Sequence, residues 1–164
     1  MSEWTVEPAS VDSTEALALL REFLIQVSDS WFQLHRGRSV TPEEIEIGLA
    51  DYPSTHLAPP TGLFLIGRYD GEVAGCIGLR ILDASTVELS RVFVRPAYRG
   101  TGGGSALLAA AERGARERGA DRIVLDTRLD MSDARALYVK HGYQEIPPYK
   151  KEKYAEVFYG KDLV

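Results

Sequence analysis

The sequence is short of the features that mark secreted, membrane-spanning and disulfide-stabilised proteins. Cys76 is the single cysteine among 164 residues, so no internal disulfide can form. No apolar run reaches the roughly 20 residues that a membrane span needs. The acidic first residues also have no long apolar stretch of the kind found in secretory signals. We therefore expect a cytoplasmic protein with no membrane partner.

The sequence also has no internal repeat and no proline-rich linker that would indicate a boundary between domains. The pairs Pro59-Pro60 and Pro147-Pro148 stand in short loops, and no repeat or low-complexity tract interrupts the chain. Hydrophobic residues make up 45% of the sequence and charged residues 26%, the usual balance for a globular domain with a sizeable core. The length is that of one domain, so we expect residues 1–164 to form a single domain.

Positive charge is scarce overall and unevenly distributed. Nineteen basic residues against 24 acidic residues give a formal net charge of −5, which argues against general nucleic-acid binding. Residues 1–62 hold three basic and ten acidic residues, whereas residues 91–122 hold seven arginines and three acids. A basic segment within an acidic protein favours a discrete site for an anion.

Hydrophobic periodicity predicts a mixed α/β domain. The predicted strands lie at residues 4–8, 63–68, 73–82, 85–94, 123–125, near 143–146 and near 155–159, with Asp70-Gly71 as a tight turn. The predicted helices start at Asp12, at the capping box Thr41-Pro42-Glu43-Glu44, at Gly102 and at Asp130, and the last one stops at Gly142. Residues 86–126 are predicted to be a parallel strand–helix–strand crossover.

The strand at residues 85–94 is predicted to present two different faces. Simple alternation puts Val87, Leu89 and Phe93 on one face. It puts four other residues together on the opposite face, namely Glu88, Ser90, Val92 and Val94.

The densest cluster of glycines follows that strand and opens the next helix. In Arg99-Gly100-Thr101-Gly102-Gly103-Gly104-Ser105, glycines allow a positive φ and a close approach to a ligand. The helix start offers unpaired N–H groups that suit a phosphate. A P-loop is excluded because no lysine follows, and the dinucleotide fingerprint fails because Ser105 replaces its third glycine. A third pattern, Arg/Gln-x-x-Gly-x-Gly/Ala, is matched by Arg99, Gly102 and Gly104.

Residues 88–142 resemble the acetyl-CoA-binding core of the GNAT N-acetyltransferase family. The resemblance rests on Val92-Phe93-Val94-Arg95-Pro96 before the glycine loop. It also rests on Ala136-Leu137-Tyr138-Val139-Lys140-His141-Gly142-Tyr143 about thirty residues after it. It implies an α/β fold with a mixed, mostly antiparallel sheet of about six to seven strands and about four helices.

The resemblance also implies an activity and a set of ligands. The activity is direct transfer of an acetyl group from acetyl-CoA, without a metal, to the primary amine of a small molecule or peptide. Such an enzyme binds acetyl-CoA through the residues at the positions of Val92, Phe93, Val94, Arg99, Gly100, Thr101, Gly102, Gly103, Gly104, Ser105 and Tyr138. The other reading is a non-catalytic acyl-CoA sensor that keeps the cofactor site. Besides the acceptor, the partner to consider is a second copy of the chain in a homodimer.

Tyr138 and Glu88 are the candidate catalytic residues. Tyr138 matches the family tyrosine that protonates the departing thiolate, and the alternative is an aromatic residue that only packs. Glu88 matches the glutamate that acts as general base in some family members, and the alternative is a substrate-binding or solvated carboxylate. A raised pKa of Glu88 would support the base role. A backbone amide near Val92 or Val94 is expected to stabilise the oxyanion with the help of Ser90, and the alternative for Ser90 is a strand serine without a role in catalysis.

The remaining chemically active side chains have simpler interpretations. Arg95 and Arg99 are expected near the CoA phosphates, and Cys76 is expected to be a buried structural thiol. Metal-site spacing is absent around His35, His56 and His141. Met131 stands where the family often has an asparagine, so a contact from that residue is not expected here. Finally, the acidic segment 1–62 favours a cationic acceptor through electrostatic steering.

Overall fold

Seven strands form one sheet in the computed structural model, which describes residues 2–163. The sheet order is β1-β2-β3-β4-β5-β7-β6. The strands are β1 (Trp4–Pro8), β2 (Gly62–Tyr69), β3 (Glu72–Ile81), β4 (Thr86–Val94), β5 (Arg122–Thr127), β6 (Gln144–Ile146) and β7 (Val157–Asp162). Neighbouring strands are antiparallel except for β4 and β5, which are parallel. The expectation of a mixed, mostly antiparallel sheet is therefore confirmed.

Four α-helices flank the sheet, as expected. They are α1 (Thr14–Arg36), α2 (Pro42–Asp51), α3 (Gly103–Glu117) and α4 (Ser132–Lys140). The capping box predicted for α2 is present, because the Thr41 side chain accepts from the Glu44 amide and the Glu44 side chain accepts from the Thr41 amide. Within residues 2–163 no helix combines the length and the hydropathy needed to cross a membrane.

Two predicted helix caps are wrong. The side chain that caps α1 belongs to Ser13, which accepts from the Ala16 amide at 3.1 Å, whereas Asp12 accepts a hydrogen bond from Ser10. At α4 the capping position is Met131, without a side-chain bond, because the Asp130 carboxylate instead pairs with Arg128 at 2.9 Å. In both places another polar partner decides which side chain reaches the helix end.

The hydrophobic core lies in two layers on opposite faces of the sheet. The larger layer packs against α3 and α4 and includes Leu79, Leu107 and Tyr138. The smaller layer packs against α1 and includes Leu19 and Phe64. We call these the α3 face and the α1 face of the sheet.

A β-bulge at Arg91 changes which residues of β4 share a face. Ser90 lies opposite Gly78 and Phe93 lies opposite Cys76, so two β4 residues face one β3 residue, and Arg91 has a φ of 57°. After the bulge Phe93 packs in the α1 layer, while Val92 and Val94 pack against the α3 layer. The prediction that simple alternation continues through the strand is therefore wrong.

The bulge also corrects the prediction for Glu88. Val87 and Leu89 belong to the α3 layer, so Glu88 and Ser90 lie on the α1 face by alternation. Val92 and Val94, by contrast, pack toward the α3 face. Glu88 thus does not share a face with the valines that are expected to contact acetyl-CoA.

The parallel pair β4–β5 opens in the middle of the sheet. Pairing joins Thr86, Val87 and Glu88 to residues 122–124 and goes no further, although β4 continues to Val94 and β5 to Thr127. We call the interval between residues 89–94 and residues 125–127 the fork. Helix α1 spans its open end: Gln26 accepts a hydrogen bond from Arg99 beyond β4, and the Val27 carbonyl accepts one from Arg128 beyond β5 at 2.7 Å.

Candidate active site

The glycine loop lies beside the open end of the fork and leads into α3. Gly100 and Gly102 have φ values of 78° and 89°, a region that side chains rarely adopt. Gly102 caps α3 without any side-chain bond, so the first amides of the helix remain available to an anion.

The other two glycines are required by packing. A Cβ at Gly103 would lie 2.3 Å from Cζ2 of Trp4, and a Cβ at Gly104 would lie 2.8 Å from a methyl group of Leu137. The sequence did not indicate Trp4, which also donates from Nε1 to the Thr101 hydroxyl at 2.9 Å. The first strand of the chain therefore holds the glycine loop in place.

The arginines near the loop are engaged in different ways. Arg95 donates to both carboxylate oxygens of Glu22, at 2.9 and 2.8 Å, and to the Val73 carbonyl at 3.0 Å. Its guanidinium therefore joins the end of β4 to α1. Arg99 donates from Nε to the Val94 carbonyl at 3.2 Å, and this bond positions the guanidinium at the open end of the fork.

Helix α4 places Tyr138 on the α3 face, next to β5. The side chain is buried, with the ring centres of Tyr143 and Tyr159 at 5.8 and 6.0 Å. Burial first, and then the Asp126 carboxylate, raise the pKa of Tyr138 well above its usual 10. The phenol is thus protonated at neutral pH, and its hydroxyl makes no hydrogen bond with any residue in 2–163, so it can act as a proton donor.

Glu88 is the last paired residue of β4 and lies at the closed end of the fork. It is 6% exposed, and its carboxylate accepts from the Tyr149 hydroxyl at 2.6 Å and from Lys150 Nζ at 3.0 Å. Burial acts to raise the pKa of Glu88, but the hydrogen bonds from Tyr149 and Lys150 outweigh it and the pKa is lowered. The raised pKa that would mark a strong general base is therefore not found.

A cluster of charged side chains surrounds Glu88. Lys150 also reaches the Asp126 carboxylate on β5, at 2.8 Å, and so connects the two strands of the fork. Arg80 of β3 lies 3.6 Å from Glu88, directly opposite it in the sheet. Tyr149 and Lys150 follow the Pro147-Pro148 loop without any motif, so the sequence offered no signal for them, whereas the pairing of two adjacent strands could have indicated Arg80.

Ser90 and Cys76 differ in how their polar atoms are satisfied. Ser90 Oγ is buried and has no hydrogen-bond partner within residues 2–163. Cys76 donates to the Arg91 carbonyl at 3.3 Å, and burial raises the pKa of its thiol to about 12, which agrees with the expected structural thiol. Within residues 2–163, no three histidine, cysteine or acidic side chains are grouped so that they could hold a metal ion.

The family model for the acetyltransferase (GNAT) family matches residues 24–143, which is most of the chain. The chain belongs to the GNAT acetyltransferase family. It is accordingly an acetyl-CoA-dependent N-acetyltransferase, and the expectation drawn from the glycine loop and the Tyr138 segment is confirmed at this level.

Relatives of this GNAT enzyme support the same assignment. An IAA acetyltransferase of Azospirillum brasilense is 35% identical over 117 residues, which is 65% of this chain and 76% of that protein. A Klebsiella pneumoniae protein assigned to the acyl-CoA N-acyltransferases superposes with a TM-score of 0.73, at 27% identity over 98% of both chains. A GNAT acetyltransferase of Elizabethkingia anophelis, solved with acetyl-CoA bound, superposes with a TM-score of 0.64, at 18% identity over 98% of both chains.

Proposed function

We propose that this GNAT enzyme acetylates the primary amine of a small molecule or peptide by direct attack at the fork. The observation that supports it is the opening between β4 and β5, which has a protonated phenol on its α3 side and an ionised carboxylate on its α1 side. Acetyl-CoA would enter from the α3 face and the amine from the α1 face, so that they meet in the fork.

The glycine loop and the free edge of β4 suit the shape and charge of CoA. We assign the binding of acetyl-CoA to Val92, Phe93, Val94, Arg99, Gly100, Thr101, Gly102, Gly103, Gly104, Ser105 and Tyr138. Amides of residues 100–105 would bind the pyrophosphate at the positive end of α3, and the backbone of residues 92–94 would pair with the pantetheine arm. Phe93 would contribute only backbone groups, because its ring packs in the α1 layer.

Tyr138 is assigned the role of general acid. The acceptor nitrogen bonds to the acetyl carbon, the carbon–sulfur bond breaks, and the Tyr138 hydroxyl gives its proton to the departing thiolate. A backbone amide near Val92 or Val94 would stabilise the negative oxygen that forms on the acetyl carbon.

Glu88 is assigned the role of proton acceptor for the acceptor amine. Its lowered pKa keeps it ionised at neutral pH, so it can take the proton that the nitrogen loses during the attack. The same hydrogen bonds that lower its pKa make it a weak base, and both are accepted by Oε2, which they hold at the closed end of the fork.

A panel of primary amines with acetyl-CoA, followed by the release of free thiol, tests this function. We expect turnover with at least one amine and none without an amine. Binding of CoA without turnover on any amine would contradict the assignment and favour the acyl-CoA sensor.

A further inference from the structure

Arg91 carries a positive charge on the α1 side of the fork that no carboxylate neutralises. Its Nε lies 3.3 Å from the Ser54 hydroxyl, and one Nη lies 3.5 Å from the carbonyls of Tyr52 and Pro53. Arg80 and Lys150 each have a side-chain nitrogen within 4.0 Å of a carboxylate oxygen. Arg91 forms no such salt bridge with any residue in 2–163. Three neutral contacts at these distances satisfy a guanidinium poorly.

The groups around Arg91 leave one positive charge in excess. Arg80, Arg91 and Lys150 lie near two carboxylates, Glu88 and Asp126, both of which act to raise the pKa values of Arg91 and Lys150. Burial first, followed by Arg91 and the other cations, lowers the pKa of His56 in the same region, so that histidine is neutral and adds no charge. Arg91 is half-buried, and a cation partly withdrawn from water is stabilised when a ligand supplies the counter-ion.

A second observation points to a missing partner at the same place. The hydroxyl of Ser90, the residue before Arg91 and on the α1 face, is buried without a hydrogen-bond partner within residues 2–163, whereas Nε of Arg80 lies 3.6 Å from the Glu88 carboxylate, too far for a hydrogen bond. Unpaired buried donors are rare in folded proteins, and a bound ligand is one way in which such a donor is satisfied. The φ of 57° at Arg91 shows that the backbone accepts an unfavourable conformation to direct this side chain toward residues 52–54.

We infer that Arg91, Ser90 and Arg80 form a subsite for an anionic oxygen group of the amine acceptor. This inference rests on the proposed function and makes the acceptor a zwitterion, with an amine that enters the fork and a carboxylate or phosphonate that binds Arg91. The planar guanidinium offers parallel N–H donors that match either group.

The acidic segment 1–62 does not oppose this inference. Four of its acids are already paired with arginines, in the pairs Glu15–Arg68, Glu22–Arg95, Glu44–Arg38 and Glu46–Arg21. The charge at the subsite is set by the residues of β3, β4 and the loops instead. The negative charge of segment 1–62 taken alone would favour polyamines as acceptors. With the subsite present, we expect polyamines to be poorer acceptors than zwitterionic amines.

Matched pairs of acceptors test the subsite. Each pair consists of an amino acid and its carboxamide, and the aminoalkylphosphonate of the same length is measured beside them. For the wild-type enzyme we expect kcat/KM to be about 10- to 100-fold higher for the anionic member, because one charge-assisted contact is lost in the amide. Whichever anion reacts faster identifies the group that the subsite accepts.

Arg91→Met is the informative variant, because methionine keeps part of the stem and has the same backbone preference. We expect the anion-to-amide ratio to fall to about one while the KM for acetyl-CoA stays unchanged. Arg113→Met, on the exposed side of α3, removes the same charge elsewhere and should leave the ratio as in the wild type. If Arg91→Met does not fold, Ser90→Ala takes its place and is expected to lower the ratio several-fold.

The two levels of the proposal can fail separately. Equal kcat/KM for the anionic acceptors and their amides in the wild-type enzyme would overturn the subsite and leave the acetyltransferase function intact. A ratio that Arg91→Met does not change would also overturn it. Absence of thiol release with every acceptor would instead contradict the proposed function itself.

Discussion

At the residue scale, the protein sets the protonation of Tyr138 and Glu88 in opposite ways. Tyr138 is buried among aromatic rings, so burial keeps its proton in place. Glu88 is just as buried but accepts hydrogen bonds from a phenol and an ammonium group, so it stays ionised. A protonated phenol and an ionised carboxylate therefore lie on opposite faces of the sheet, as the proposed roles require.

Tyr138→Phe tests the general acid. We expect kcat to fall by about 100-fold, because positioned proton donors contribute roughly that much or more. The affinity for CoA should change little, because the ring still packs against Tyr143 and Tyr159. Tyr69→Phe removes a hydroxyl from β2, away from the fork, and should retain wild-type kcat. A similar kcat for both variants would exclude Tyr138 as the acid.

Lys150→Met tests what holds the pKa of Glu88 below its usual value of 4.5. As the pH decreases below the pKa of the acceptor amine, log kcat/KM should fall with a slope of one against pH. The slope should reach two where Glu88 also becomes protonated. In the wild-type enzyme this second loss lies below pH 4.5. Without Lys150 one of the two hydrogen bonds that lower the pKa of Glu88 is gone, so this pKa rises and the second loss should move to a higher pH than in the wild-type enzyme. Lys151→Met, at an exposed position, should follow the wild-type profile, and a shift in both variants would contradict the account.

Glu88 also contributes to the pH dependence of stability. A carboxyl group whose pKa is lower in the folded than in the unfolded state stabilises the fold above its unfolded pKa. That contribution is lost as the pH falls through the folded pKa, which lies below 4.5. Glu88→Gln should therefore reduce the acid-dependent part of the free energy of unfolding, measured by denaturant titration between pH 3 and 6. An unchanged pH dependence would show that Glu88 is not held in its ionised form.

At the scale of elements, the glycine loop and the β4 bulge determine where ligands can approach. Apolar periodicity and capping signals were enough to predict all three elements of the 86–126 crossover and the start of α2. They could not predict the bulge, because Arg91 adopts a positive φ that glycine or asparagine normally signals. A shift of one residue then moved Val92, Phe93 and Val94 to the faces opposite those predicted.

Gly103→Ala tests the packing of the loop against Trp4. The added Cβ would overlap the indole ring at 2.3 Å, so the ring or the helix start must move. We expect a loss of about 1–3 kcal/mol in the free energy of unfolding and a KM for acetyl-CoA at least about ten-fold higher. Gly114→Ala in the same helix has a leucine methyl at 3.3 Å as its nearest neighbour and should leave that KM near the wild-type value. Equal KM values for the two variants would show that the packing does not position the loop.

At the scale of the whole molecule, distant parts of the chain converge on one fork. β1 supports the glycine loop through Trp4, α1 spans the open end, and the loop after β6 supplies Tyr149 and Lys150. Local patterns predicted the cofactor half well, since its motifs lie within residues 88–142. The proposed acceptor half combines β4 with the segments at residues 52–54 and 149–150, which carry no motif, so only the structure brings Glu88, Arg91 and Lys150 together.

Binding of CoA should stabilise the whole fold. A ligand at 100 times its dissociation constant adds about 2.7 kcal/mol, which raises Tm by roughly 5–10 °C for a domain of this size. The shift should be largely lost in Gly103→Ala and kept in Gly114→Ala. A wild-type Tm that does not respond to saturating CoA would contradict the assigned cofactor site.

A crystal structure with CoA bound tests the central claim most directly, through the distance from the CoA sulfur to the Tyr138 hydroxyl. We predict a distance of about 3–4 Å inside the fork, with the pyrophosphate on the amides of residues 100–105. A sulfur atom outside the fork, or a pyrophosphate away from the start of α3, would contradict it.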